Sequence, residues 1–169
     1  ALPVHIGAVV IPFGPDRGAA TAAVAAWTVA NEDRAPGRAQ VIAQVVDIDE
    51  ARAAVAAGAT GLLASGSEAG GRIGDTEAFI LLQQCLALDV PVWVRGGIGL
   101  HTAAGAIAGG AAGVVMDTQL ALTREAGLPR ATRQAIAAMD GSETRVVGGH
   151  RIYTRPDLDA AHLPDDLPA

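Results

Sequence analysis

The sequence predicts an α/β protein built on a parallel sheet, and three observations carry that expectation. Short β-branched runs alternate with alanine-rich stretches of helical spacing. The alternation recurs at roughly 25 residues, the length of one strand, one crossover helix and two turns. The strand-like runs are also near-continuously apolar, as expected of strands covered on both faces. Strands separated by helices imply right-handed crossovers. About five βα units fit into the chain, followed by a short carboxyl-terminal extension.

The units follow in order. Ile6–Ile11 reads as a strand and Ala19–Ala30 as a helix. Val41–Val46 is a strand; Asp47 or Asp49 then caps a helix that stops at Gly58. Thr60–Ser65 is a strand, and Thr76–Leu88 is a helix with Thr76 or Asp75 as its cap. Pro91–Gly96 is a strand, and the helix from Leu100 ends at Gly109–Gly110. Ala112–Asp117 is a strand, and Pro129–Met139 is a helix with proline in its first turn. After Met139 the pattern breaks into a turn and two short extended segments around Gly148–Gly149. We therefore expect one partial unit over 1–139, then an extension and a linker rich in proline and aspartate over 140–169.

Composition narrows the function. The chain has 169 residues, a net charge of −6 and only 3% aromatic residues. That charge argues against nucleic-acid binding. No apolar run approaches the roughly 20 residues that span a bilayer, and no leader pattern stands at the start. The lone cysteine, Cys85, fits a reducing compartment, so a cytoplasmic location is expected. It falls in the apolar pattern of Phe79, Leu82 and Leu86 and reads as a buried thiol. The twelve basic residues are all arginine. Without lysine there is neither a Walker phosphate contact nor a Schiff base. The histidines His5, His101, His150 and His162 show no metal-ligand spacing, so no metal is expected.

Ligands of parallel sheets bind beyond the carboxyl ends of the strands. The informative turns are therefore Gly66–Asp75, Gly96–Gly99 and Asp117–Leu120. Bare amides at a helix N-terminus suit an anion such as phosphate, although glycines also serve plain tight turns. The Rossmann fingerprint is absent, because from Gly97 the string reads Gly-Ile-Gly-Leu-His-Thr and lacks the third glycine. Several side chains near these turns have structural readings. Glu68 and Arg72 could brace the loop as a pair, and Asp75 could cap the next helix. Arg95 is a candidate phosphate contact or an ion-pair partner of Glu68 or Asp117. His101 reads as a surface contact, and Trp27 and Trp93 read as packing residues.

Taken together, the strings EAGGRIGD and PVWVRGGIGLHTAAGAIAGGAAGVVMDTQLALTREA resemble the carboxyl-terminal part of the nitronate monooxygenase family. The resemblance spans roughly Val41 to Ala126, and the order and spacing of all three loops agree. It is closest to the version found at the front of polyketide and polyunsaturated fatty acid synthases, which the segment DGSETRVVGGHRIYTRPDL also resembles. The resemblance implies a TIM-barrel-like fold, here incomplete, and FMN as cofactor. It implies that Gly70 and Gly71 line the flavin ring. Gly96, Gly97 and Ile98 would offer N–H groups to the phosphate, with Asp117 and Thr118 on its other side.

Two residues depart from the family pattern. Arg72 stands where relatives carry a histidine near the flavin, and is the candidate catalytic residue by position. A guanidinium holds its proton at neutral pH, so Arg72 would act as an electrostatic contact and not as an acid or base. Asp117 stands where the family has glycine, and a carboxylate beside a phosphate is repulsive unless paired. These departures support an alternative: a catalytically degenerate, cofactor-free structural or docking domain of a multienzyme. A phosphosugar-type α/β phosphate binder is a third reading, which leaves the EAGGRIGD loop unexplained. Five units also fall short of an eight-stranded barrel, which takes at least about 200 residues. Open sheet edges invite pairing, so other domains of a multienzyme or a second copy are expected to complete the sheet.

Overall fold

The computed structural model describes residues 6–14, 16–31 and 39–153. Five parallel strands form the main sheet: β1 (Ala8–Pro12), β2 (Gln40–Val45), β3 (Gly61–Ser65), β5 (Val92–Arg95) and β6 (Gly113–Val115). Their spatial order follows the chain. The crossover helices are α1 (Arg17–Ala30), α2 (Ile48–Ala56), α3 (Ala78–Leu86) and α4 (Leu100–Ala108). When every right-handed crossover steps the same way, all the helices fall on one face. This is the singly wound arrangement of a barrel segment, with no point at which strand order reverses.

The main core lies between that face and the helices. Val41, Ala43, Val45, Leu62, Ala64, Val92 and Val94 point into it. Leu81, Leu82 and Cys85 of α3 meet them there. Full burial of Leu81 and Leu82 contributes about 1.5–3 kcal/mol each. Burial also pushes the Cys85 thiol up to about 11, with a smaller push from the Asp47 charge, so the thiol is inert at neutral pH.

Helices cover only one face of the sheet, where the apolar strands suggested two. The alternate residues, Ile42, Leu63 and Trp93, are apolar because they form the inner face of a curved sheet. Trp93 lies across that face between two glycines of its neighbouring strands. A Cβ on Gly61 would stand 2.8 Å from Trp93 Cζ3, and one on Gly113 would stand 2.8 Å from Cδ1. The glycines are therefore the space that the indole fills.

Helix starts follow local chemistry. Asp16 and Asp47 cap α1 and α2, accepting from the N–H groups of Ala19 and Glu50 at 2.9 and 2.7 Å. Helix α3 begins at Ala78, two residues later than its sequence suggests, and neither Asp75 nor Thr76 is its cap. Pro129 occupies the N-cap of α5 (Arg130–Ala137), just outside the first turn.

A second, antiparallel sheet stands apart from the first. It contains β4 (Gly71–Arg72), β7 (Thr144–Val147) and β8 (His150–Tyr153), in the order β4-β8-β7. The two extended segments around Gly148–Gly149 are thus a hairpin. It folds back onto the loop that follows β3. The linker expected beyond Tyr153 lies outside the described residues.

Adding a methyl group beside Trp93 tests the inner face. Gly61→Ala is expected to destabilise the protein by about 1–3 kcal/mol through overpacking. In a Trp93→Leu background the same change should cost less, giving a coupling of at least about 0.5 kcal/mol in a double-mutant cycle read by urea unfolding. Strict additivity would show that Trp93 does not occupy the glycine gap.

Candidate functional site

The three turns meet at one rim of the parallel sheet. The N–H of Gly66 donates to the Arg95 carbonyl at 2.9 Å, which joins the first turn to the end of β5. A Cβ on Gly97 would lie 3.7 Å from Glu68 Cβ, so the first and second turns touch. Gln119 Nε2 donates to the Ile98 carbonyl at 2.8 Å, which ties the third turn to the second. Arg95 spans two of them: its guanidinium donates to Gly70 O at 2.8 Å and to Asp117 Oδ2 at 3.0 Å.

The first turn is held by two carboxylates. Glu68 reaches forward ten residues and accepts from Ala78 N at 3.0 Å, capping α3 from a distance. A Cβ on Gly66 would stand 2.3 Å from both Ala78 N and Glu68 Oε2, so only glycine fits beneath this cap. Arg72 pairs with Glu50 of α2, and not with Glu68. Its guanidinium grips both Glu50 carboxylate oxygens and donates to Phe13 O at 2.7 Å. The Glu50 side chain is 1% exposed and also accepts from Val46 N at 3.1 Å. Arg72 thereby links the loop after β1, helix α2 and the loop after β3. Glu50 and Phe13 O thus occupy the Arg72 guanidinium.

The second turn presents unengaged donors. Gly96 and Gly97 take φ values of +114° and +58°, in the left-handed region that favours glycine. Among the described residues no acceptor engages the N–H groups of Gly97 and Ile98. The Ile98 side chain is buried in the core, so only its backbone faces the rim. Thr102 Oγ1 accepts from Gly99 N at 2.6 Å and donates to Gly97 O at 2.8 Å, fixing the turn at the start of α4. His101 is exposed in the first turn of α4.

The third turn carries its own anion. Asp117 Oδ1 accepts from Thr118 N at 2.5 Å and from Thr118 Oγ1 at 3.1 Å. Asp117 N donates to Gln119 Oε1 at 3.0 Å. Partial burial works to raise the Asp117 pKa, but the Thr118 N–H and the Arg95 charge outweigh it and hold the carboxyl below its ordinary 3.8. A shallow cleft of about 650 Å³ opens beside Asp117, lined also by Leu120, Thr123, Glu125 and Leu128.

The hairpin clasps the rim from outside. Arg151 Nε donates to Ser67 O at 2.8 Å, Ile73 N donates to Gly149 O at 2.9 Å, and Tyr153 OH meets Thr118 Oγ1 at 3.3 Å. The sequence reading missed Glu50, Gln119 and Arg151. Glu50 left one trace, an acid in the first turn of an alanine-rich helix, which reads equally as a solvated helix residue. His150 holds Gly148 O through Nδ1 at 3.0 Å. No cluster able to bind a metal occurs among the described residues.

The donors and open backbone of two of the three turns would suit a phosphorylated flavin. The N–H groups of Gly97 and Ile98 lie at the start of α4, where the helix dipole favours an anion. A Cβ on Gly70 or Gly71 would meet no atom within 4 Å, so the space beside this backbone is open. Ser65 Oγ, fully buried at the end of β3, has no hydrogen-bond partner. It lies on the inner face by alternation from Ala64. On the third side Asp117 engages the Thr118 N–H.

Fold and rim define the class: a segment of a (β/α) barrel whose strand ends gather bare backbone amides. The nitronate monooxygenase family profile matches residues 19–155, and the chain belongs to that family. A relative from Rhodococcus jostii (strain RHA1), (3aS,4S,5R,7aS)-5-hydroxy-7a-methyl-1-oxo-octahydro-1H-indene-4-carboxyl-CoA dehydrogenase, is 38% identical over 103 residues. Those residues are 56% of this chain and 29% of the relative. Among solved structures, FabK from Thermotoga maritima is 31% identical with a TM-score of 0.64, over 70% of this chain and 40% of that one. Nitroalkane oxidase from Streptomyces ansochromogenes is 29% identical with a TM-score of 0.58, over 67% of this chain and 38% of that one. The chain thus spans less than half the length of these relatives. No helix among the described residues is long and apolar enough to cross a membrane.

Two expectations follow from the charges. Arg72→Ala strands the buried Glu50 carboxylate and should cost about 3 kcal/mol or more. Replacing both partners with apolar residues, as in Glu50→Leu with Arg72→Met, should recover much of that loss in urea unfolding; equal losses would dismiss the pair as a brace. The second concerns acid. Because the folded Asp117 pKa lies below its ordinary value, its contribution to stability is complete above about pH 4 and is lost as pH falls through the lower folded value. Asp117→Asn should flatten that part of the stability profile, and an unaltered acid limb would contradict the assignment.

Proposed function

We propose that this chain is the flavin-holding part of an FMN-dependent oxidoreductase barrel of nitronate monooxygenase or enoyl reductase type. One observation carries the reading. The N–H groups of Gly97 and Ile98 are unengaged at the rim that also bears the open backbone of Gly70 and Gly71. In this reading Gly96, Gly97 and Ile98 bind the phosphate, with Asp117 and Thr118 at its far side. Gly70 and Gly71 let the ring approach the backbone. FMN supplies the redox chemistry when bound, accepting or donating hydride; the protein supplies position and exclusion of water. Arg72 holds β4 in place from the histidine position through its pair with Glu50. The likeness of the extension to synthase-borne relatives supports placing the module in a polyketide or fatty acid synthase. Among the described residues, strands β1 and β6 are the edges of the sheet. We propose that other domains of the multienzyme, or a second copy, pair with them, since bare edges seek partners.

A second reading has its own support. Both departures from the family pattern, Arg72 and Asp117, are satisfied internally, as suits a cofactor-free docking domain. Flavin uptake separates the two. The first reading expects the protein to bind added FMN and turn yellow. Gly70→Val should then weaken binding by at least about tenfold through loss of ring contact. It should keep stability within about 0.5 kcal/mol, because nothing crowds that Cβ. A wild-type protein that takes up no FMN, or a Gly70→Val variant that binds it equally well, would defeat the first reading; the former result would favour the second.

A further inference from the structure

We propose that Asp117 is a built-in rival of the phosphate, an internal anion seated on the third side of the cradle. The inference rests on the reading that this rim is a phosphate site. Three observations support it. The Asp117 carboxylate takes the Thr118 N–H at 2.5 Å and the Thr118 hydroxyl at 3.1 Å. Its other oxygen pairs with Arg95 at 3.0 Å. The neighbouring Gly97 and Ile98 N–H groups remain unengaged. One anion is thus already seated where two turns would share another.

The consequence is a change in ligand preference. An incoming dianion gains the two free amides of the second turn. It must then either displace Asp117 from Thr118 and Arg95 or lie beside a fixed negative charge. A flavin without its phosphate meets neither obstacle, and its ribityl hydroxyls can donate to the same carboxylate. Asp117 therefore lowers the preference for FMN over riboflavin, and lowers affinity for phosphate itself.

Inorganic phosphate tests this without flavin or turnover. Backbone amide NMR of the full chain would follow Gly97, Ile98 and Thr118 during titration. In the wild type the Thr118 amide should stay fixed. In Asp117→Ala it should shift with the other two, and phosphate should bind at least about tenfold more tightly, with Asp117→Asn intermediate. Releasing Arg95 could by itself raise affinity, so the Arg95→Gln, Asp117→Ala double variant is decisive. It carries the same net charge as the wild type, and it should still bind phosphate more tightly because Thr118 is freed. A paired titration should show the ratio of FMN to riboflavin affinity rising by a similar factor. The inference is overturned if Asp117→Ala binds phosphate no better than wild type, or if the double variant falls back to wild type. Phosphate gain in the variants without any flavin uptake would keep this inference and refute the flavin reading.

Discussion

A buried carboxylate organises the rim. Glu50 is sealed between α2 and the sheet, and a lone charge there would cost several kcal/mol. Arg72 and the Val46 N–H answer it. Arg72 belongs to a loop with little apolar content of its own, so this pair anchors the loop as hydrophobic contacts anchor the helices. Once Arg72 is fixed, β4 is fixed, and β4 gives β8 an edge to pair with. The hairpin then brings Arg151 to Ser67 and Tyr153 to Thr118. The order of dependence runs from one charge pair to the second sheet and then to the outer wall of the site.

The legible parts of the sequence were those with local causes. Each strand and crossover helix showed its own period, and Asp47 showed its own cap, because partner and signal lie within a few residues. The start of α3 was illegible because its cap, Glu68, is ten residues upstream and works only when the loop is folded. The brace at Arg72 was assigned to Glu68 for the same reason: Glu68 is near in sequence, whereas Glu50 is near only across the sheet. Covered faces were misread because an apolar strand interior to a curved sheet has the same composition as one between two helix layers. The glycines divided similarly. Those at Gly96 and Gly97 follow from backbone angle, which a turn motif signals. Gly61 and Gly113 follow from Trp93, which no local pattern signals. For the site, the three turns were legible as loops with bare amides. Their convergence is consistent with the parallel topology. The Arg95–Asp117 pair was among the readings that the sequence allowed, whereas the Glu50 partner of Arg72 was not assignable from spacing.

Arg72 and Asp117 alter the site in different ways. A histidine can sit beside a ligand in a neutral form; an arginine brings a permanent charge that must be answered. Here the answer comes from Glu50 of α2. Asp117 does the converse. It brings a negative charge to a turn whose amide would otherwise need a partner, and Arg95 is its counter-ion. Each introduced charge therefore has a partner on a different βα unit, and each pair spans 22 residues of chain. Charge pairs of this kind hold loops in one arrangement more than they add net stability.

That distinction bears on what the rim can do. A rim held by amide donors alone would be shaped by its ligand, since N–H groups without acceptors gain most when the anion arrives. A rim held by Arg95 and Asp117 is already ordered, and Gly70 is ordered with it through the same guanidinium. Pre-ordering reduces the entropy that a ligand must overcome, so a neutral group docking on the Gly70 backbone would gain from the pair. An anion would lose by it, because the ordering element has its own sign. One ion pair would thus favour a neutral group at Gly70 and oppose an anionic one at Thr118.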